Sequence, residues 1–135
     1  MRIMLDTDMC IHLIRQRPPS ALDRIATYGP GEIGVSAITV AELEYGVSKS
    51  GQPRRNRQAL DQFLSPLEVM AFDRAATGAY GRLRTHLERR GLRIGAMDLL
   101  IAAHALSADV SLVTSNEREF RRVPALRVES WATAT

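Results

Sequence analysis

Asp6, Glu42, Asp98 and Glu119 lie far apart in the chain, yet each falls where the local pattern ends a strand or opens a helix. Brought together, four carboxylates point to metal chemistry. Two carboxylates about 4 Å apart repel by about 4 kcal/mol at an effective dielectric near 20, a sizeable part of a small domain's stability. A cluster of them therefore implies a divalent cation, raised pKa values, or no cluster at all.

Each acid also has an ordinary structural use. Asp6 follows an apolar run and can cap the next helix. Thr39-Val40-Ala41-Glu42 fits a capping box, in which the acid bonds back to the cap's own amide. Asp98 can sit in a first turn, where the helix dipole favours an acid. It nevertheless interrupts the apolar run Ile94 to Ala103, and no Lys or Arg stands three or four residues away. For Glu119 the default is an exposed ion pair of little energetic consequence. His12, His86 and His104 share no ligand spacing and read as helix-face residues. The arginine-rich stretches at 54–57, 82–93 and 118–122 read as solvated faces that could hold phosphate.

The elements that must position these acids follow from hydrophobic period and punctuation. Residues 2–5 read as a buried strand ending at Asp6, and Thr7 or Asp8 caps a helix with Met9, Leu13 and Ile14 on one face. Pro18 and Pro19 stop that helix, Ser20 caps the next, and Tyr28 to Gly31 ends it. A strand at 32–37 leads to a third helix opened by Thr39. The break at 49–53 then gives a helical hairpin running to residue 64. A strand at 67–72 precedes a long helix capped by Asp73, with Ala76, Tyr80, Leu83 and Leu87 on one face, closed by Gly91. A helix over 96–107, strands at 110–113 and 126–128, and a short helix at 117–120 complete the chain.

This alternation predicts a three-layer α/β/α sandwich around a mostly parallel sheet, because parallel strands need helical crossovers. Ligands then bind beyond the carboxyl ends of the strands. Asp6 sits at one such end, Asn116 and Glu119 follow another, and the helices bearing Glu42 and Asp98 begin on the same side.

Length and composition narrow the class. The chain has 135 residues, 45% of them hydrophobic, which is enough for one domain spanning 1–135 with a real core. No apolar run reaches membrane-spanning length, and MRIMLDTD has an acidic residue where a signal peptide would continue its apolar region, so a cytoplasmic protein is expected. Cys10 stands alone, which excludes an internal disulfide. The net charge is +3, and 17 of the 18 basic residues are arginine, a bias that fits either a polyanionic partner or a GC-rich genome. No Gly-rich phosphate loop and no serine nucleophile elbow occurs.

Four segments together resemble a known family: Met4 to Asp8, Ser36 to Gly46, Asp98 to Ala105, and Leu112 to Phe120. In this order and spacing the chain resembles the PIN domain, and within it the VapC toxins of bacterial toxin–antitoxin pairs. The resemblance implies a five-stranded sheet in the order 3-2-1-4-5 and a Mg²⁺-dependent endoribonuclease, with Mn²⁺ able to substitute. Asp6, Glu42 and Asp98 match the family's metal-site positions and Glu119 a less uniform fourth acid; Asp6 and Asp98 are implied to bind the metal directly, with Glu42 and Glu119 holding metal-bound waters or completing the site. Hydrolysis of RNA, of tRNA or another structured kind, to 5′-phosphate and 3′-hydroxyl ends is implied. Thr7, Thr114 and Asn116 are placed by location to hold the scissile phosphate. A cognate antitoxin and a homodimer are the implied partners. Many family members carry an acid where this chain has Asn116, and a neutral amide is a weaker ligand for a second cation. Two other classes stay open: a small Mg²⁺-dependent phosphatase using the Asp6-x-Asp8 pair, and a catalytically silent RNA- or protein-binding module.

Overall fold

The computed structural model describes residues 1–131. Its elements are β1 (Ile3–Leu5), α1 (Thr7–Gln16), α2 (Pro19–Ala26), β2 (Ile33–Ser36), α3 (Ala37–Lys49), α4 (Pro53–Leu64), β3 (Glu68–Met70), α5 (Arg74–Arg89), α6 (Ala96–Ala108), β4 (Ser111–Val113), α7 (Glu117–Phe120) and β5 (Val128–Glu129). The five strands form one sheet in the order β3-β2-β1-β4-β5. Every pairing is parallel, with Leu5 opposite Val35 on one side and Val113 on the other.

The central strand shows why this sequence makes three layers. All three residues of β1 are buried, as expected of a parallel strand covered on both faces. Ile3 and Leu5 pack with Met9, Leu13, Leu43 and Leu60 from α1, α3 and α4. Met4, pointing the other way, packs with Leu83, Leu87, Ile101 and Phe120 from α5, α6 and α7. Side-chain alternation along three residues thus feeds two separate cores, as the expected α/β/α sandwich requires.

Several boundaries differ from the sequence reading, each for a local reason. Asp6, not Thr7 or Asp8, caps α1, its side chain accepting from the Met9 amide. α2 begins at Pro19 after Pro18, with no side-chain cap, so Ser20 lies inside the helix; a proline at the first position is pre-set for helix. Ser36 opens α3 by accepting from the Ile38 amide at 3.1 Å, three residues before Thr39. Thr39 is therefore a buried interior residue, and the Thr39–Glu42 capping box does not form. β5 starts at Val128 because Ala125 takes a left-handed conformation, φ 66°, and Leu126 is still in the turn. Asp73 caps α5 as expected, accepting from Ala76, and Gly91 takes φ 67° just beyond that helix. Among the described residues no helix is long and apolar enough to cross a membrane.

Candidate active site

β1 has β2 on one side and β4 on the other, so strand order reverses at β1, the place beyond whose carboxyl end an open α/β sheet binds its ligands. Asp6 and Thr114, the residues directly after β1 and β4, meet there. Asp6 is 1% exposed; its Oδ1 accepts from the Met9 amide at 2.7 Å and its Oδ2 takes a short hydrogen bond from the Thr114 hydroxyl. Burial pushes the Asp6 carboxyl up to about 6; the two hydrogen bonds oppose the rise, and the charges of Asp8 and Glu42 add to it.

Glu42 stands in the second turn of α3, which begins on the same side of the sheet. The Thr7 hydroxyl lies 2.5 Å from its Oε1 and 3.2 Å from the Thr39 hydroxyl, so α1 holds the Glu42 side chain in place. Asp98 is the third residue of α6 and half-buried. Its carboxyl is pushed up to about 7, first by burial and then by the charges of Glu119, Asp6, Asp8 and Glu42. All four acids, with Asp8, therefore face one region. No hydrogen-bond donor to Asp98 occurs among the described residues.

Glu119 arrives from α7. Its Oε1 accepts from the Gly95 amide at 2.7 Å and its Oε2 from the Asn116 side-chain amide at 2.8 Å. A β-carbon at Gly95 would stand 3.7 Å from that Oε1 and 3.8 Å from Asp98 Oδ2, which places both acids beside the same glycine. The Asn116 backbone amide donates to Thr114 Oγ1 at 2.8 Å. Thr7, Thr114 and Asn116, read from the sequence as phosphate contacts, are thus each bonded to one of the acids.

None of the four acids is in an ion pair among the described residues; the described pairs are Arg2–Glu32, Arg57–Glu44, Arg84–Glu88, Arg121–Glu117 and Arg127–Asp109. The surface pair expected of Glu119 is taken instead by its neighbour Glu117. Among the described residues no three His, Cys, Asp or Glu side chains form a ready-made metal cage. The donor set nonetheless fits Mg²⁺, which keeps several waters and is typically held by one or two carboxylates. Hard oxygens, an Asp98 without a donor, and like charges raising both aspartates are what a divalent cation would relieve.

One buried residue escaped the sequence reading. His104 is 1% exposed rather than on an open helix face, with Nδ1 2.7 Å from Ser36 Oγ and its ring edge-on to Phe72. Burial lowers its pKa, partly offset by Asp73 and a hydrogen bond to the Ala71 backbone. No local pattern marks it, because its partners come from elements far away in the chain.

This geometry has relatives. The model of the PIN domain matches residues 3–126. Ribonuclease VapC2 of Rickettsia felis is 46% identical over 129 residues, 95% of this chain and 96% of that protein. The tRNA(fMet)-specific endonuclease VapC of Shigella flexneri is 39% identical over 132 residues, 98% of this chain and 99% of that protein. Among solved structures, DNA-bound VapBC from Salmonella typhimurium matches with a TM-score of 0.94 at 39% identity, covering 97% of this chain and 98% of that one. The chain belongs to the PIN-domain family. Within that family it falls with the VapC ribonucleases, and it is an enzyme of the nuclease class.

Proposed function

We propose that this chain is a Mg²⁺-dependent endoribonuclease, Mn²⁺ substituting, that acts as the toxin of a toxin–antitoxin pair. The observation that carries this reading is the set of carboxylates close enough beyond β1 and β4 to raise Asp98 together, none of them in an ion pair among the described residues. Asp6 and Asp98 would hold the cation, and Glu42 and Glu119 complete the acidic site. When bound, the cation would polarise the scissile phosphate and lower the pKa of the attacking water. The chain's own work is orientation. Thr114 fixes the Asp6 carboxylate from β4, and Thr7 fixes Glu42 from α1. Thr7, Thr114 and Asn116 lie where the phosphate would approach, so contact with it would compete with the bonds these residues make now. The products would carry 5′-phosphate and 3′-hydroxyl ends.

The substrate would be tRNA or another structured RNA, a choice supported by the name of the Shigella flexneri relative. An antitoxin partner is supported by the VapBC complex of Salmonella typhimurium. A cleft of about 210 Å³ lined by Ile11, Ile14, Leu43, Val47 and Leu60 reaches Glu42 and offers an apolar seat beside the acids. A homodimer fits the exposure of Tyr45 (65%) and Val69 (49%); a strict monomer in gel filtration of the partner-free protein would remove that part of the reading. The phosphatase reading loses ground, because the relatives that match nearly the whole chain are named ribonuclease and endonuclease.

The test is incubation of total cellular RNA with purified, partner-free protein, with Mg²⁺ or Mn²⁺, with EDTA, and with Asp98→Asn. Discrete fragments that need the metal and are absent with the variant are expected, and end mapping then identifies the RNA. Cleavage that survives EDTA, or ends carrying a 2′,3′-cyclic phosphate, would sink the mechanism.

A further inference from the structure

We infer that the cleft between the last turns of α5 and the opening turn of α6 holds a nucleobase of the RNA next to the scissile phosphate, stacked against Tyr80 and the Arg84 guanidinium. The inference rests on the nuclease reading above for the identity of the occupant.

The cleft follows from the way α5 ends. Ala79, Leu83 and Leu87 join α5 to α6 through a core shared with Leu99 and Ile101. α5 stops at Arg89, Gly91 takes φ 67°, and the Leu92 amide returns to the Leu87 carbonyl at 3.0 Å, so the chain turns sharply before running on to Ala96. A cleft of about 550 Å³ is left between the two helices, within the size range of small-molecule sites. Tyr80, Leu87, Leu92, Ile94 and Leu99 give it apolar walls, and Leu92 is 37% exposed. Apolar walls with a few placed polar groups suit a flat heterocycle.

Those polar groups are held in position. Arg84 Nη1 donates to the Tyr80 hydroxyl at 2.9 Å and Arg84 Nε to Glu88 Oε2 at 3.0 Å, which tethers the guanidinium at two corners. An aromatic ring and a guanidinium plane fixed together are the surfaces on which unpaired RNA bases stack. Nη2 and the second Glu88 oxygen remain to meet the edge of the base. Arg93 also lines the cleft and supplies positive charge for the phosphate that accompanies the base. Its backbone is fixed, because the Arg93 carbonyl accepts from Arg122 Nη1 at 2.6 Å. The surroundings favour nucleic acid over an apolar peptide: Arg89 and Arg90 adjoin the cleft in sequence, and its one acid, Glu88, is already paired with Arg84.

Position ties the cleft to the acids. Ala96 and Leu99 line it, and Asp98 belongs to the same turn, about 5 Å of helix axis. A β-carbon at Gly95 would stand 3.8 Å from Asp98 Oδ2, and the two residues before Gly95, Arg93 and Ile94, are in the wall. Successive helical residues turn by about 100°, so Met97, 48% exposed, lies between Ala96 and Asp98 and carries apolar surface from the cleft round to the acids. An RNA with its phosphate at Asp98 therefore has a neighbouring base within reach of the cleft.

Wild type, Arg84→Ala and Tyr80→Ala should be compared on an RNA oligonucleotide carrying the site mapped with wild type, and on copies in which each nucleotide flanking the cut is in turn made abasic. One abasic copy should cost wild type about tenfold in kcat/KM, the loss expected when a stacked base is removed. On the intact oligonucleotide the variants should lose a similar factor. On that abasic copy they should match wild type within about twofold, because no base is left to hold, whereas a fault in folding would persist there. Arg84 is exposed, so its variant decides the matter if Tyr80→Ala does not fold. Arg84→Ala with unchanged kcat/KM on the intact oligonucleotide, or with the same deficit on every abasic copy, overturns the inference. Gel filtration tests the rival occupant, a second copy of this chain: a change of oligomeric state in Arg84→Ala assigns the cleft to an interface between copies and equally overturns it. If wild type cleaves no RNA, the nuclease reading fails instead, and fluorescence anisotropy with five-nucleotide RNA homopolymers decides the cleft. Arg84→Ala should then weaken the binding of at least one homopolymer about tenfold; unchanged affinity for all four overturns the inference.

Discussion

Asp98 is both the residue most needed by the proposed chemistry and the one most costly to keep. It is half-buried, lacks a hydrogen-bond donor among the described residues, and sits in the field of Glu119, Asp6, Asp8 and Glu42, which with burial pushes it up to about 7. Asp98→Asn removes that charge without changing shape. The variant is expected to lose RNA cleavage by at least about 100-fold and to melt at a higher temperature than wild type when both are metal-free at about pH 8. Parallel thermal melts and cleavage assays check it, and a variant that melts lower would show that Asp98 makes a stabilising contact at neutral pH. Asp98 was legible in the sequence because a charge interrupting an apolar helix needs a reason. Glu119 was legible only as an acid in a plausible place, since its partner Gly95 is 24 residues away and a tertiary contact leaves no local mark. Sequence reasoning found which residues gather, and missed that their threonines and asparagine are spent in holding them.

At the scale of elements, the acids are only as well placed as the ends of α1, α3 and α6. The start of α3 shows how such an end is fixed. Ser36 Oγ accepts from the Ile38 amide at 3.1 Å and lies 2.7 Å from Nδ1 of the buried His104 on α6, whose ring also bonds the Ala71 backbone. With that ring neutral and donating to Ala71, the serine hydroxyl donates to Nδ1 while capping α3, so one side chain joins two helices and the exit of β3. Ser36→Ala would remove a cap, worth about 1 kcal/mol, and leave a buried ring nitrogen unpaired, worth about 1–3 kcal/mol more. Urea denaturation should show about 2–4 kcal/mol of lost stability; a loss below about 0.5 kcal/mol would mean that the brace contributes nothing. The sequence reading opened α3 at Thr39 and kept Ser36 in the preceding strand; both residue types cap helices, so local propensity cannot choose between them. The choice was made by tertiary structure, because Thr39 is needed inside, beside Thr7, and Ser36 is needed by His104.

For the whole molecule, the two raised aspartates tie stability to pH and to metal. In the unfolded chain both titrate near the ordinary 3.8; in the folded chain they stand at about 6 and about 7, so the folded state holds more protons between those values. Stability therefore falls as pH rises, the loss beginning near pH 4 and becoming complete above about 7. For the buried Asp6, the rise from 3.8 to about 6 corresponds to about 3 kcal/mol; for the half-exposed Asp98 solvent reduces the effect. Metal-free protein should lose thermal stability between about pH 5 and 8, and saturating Mg²⁺ should restore more of it at pH 8 than at pH 5, because ligand binding to the folded state stabilises by mass action and the cation competes with protons. A Mg²⁺ effect that is the same at both pH values would refute this coupling. The layered fold itself was the most legible part of the chain: apolar runs too short for helices, alternating with amphipathic stretches, leave few alternatives to a covered parallel sheet. The edges were the least legible, since β5 is two residues long and its start depends on the left-handed Ala125.

The central position of β1 has a consequence in time. The first acid is synthesised 108 positions ahead of the hydroxyl that orients it, which lies just past a strand that must slide in beside β1. Glu119 comes later still. A ribosome making this protein therefore carries, between the first acid and the last, a nascent chain whose cutting centre cannot close. The ribonuclease is disarmed by its own topology until β4 and α7 have followed β1 out.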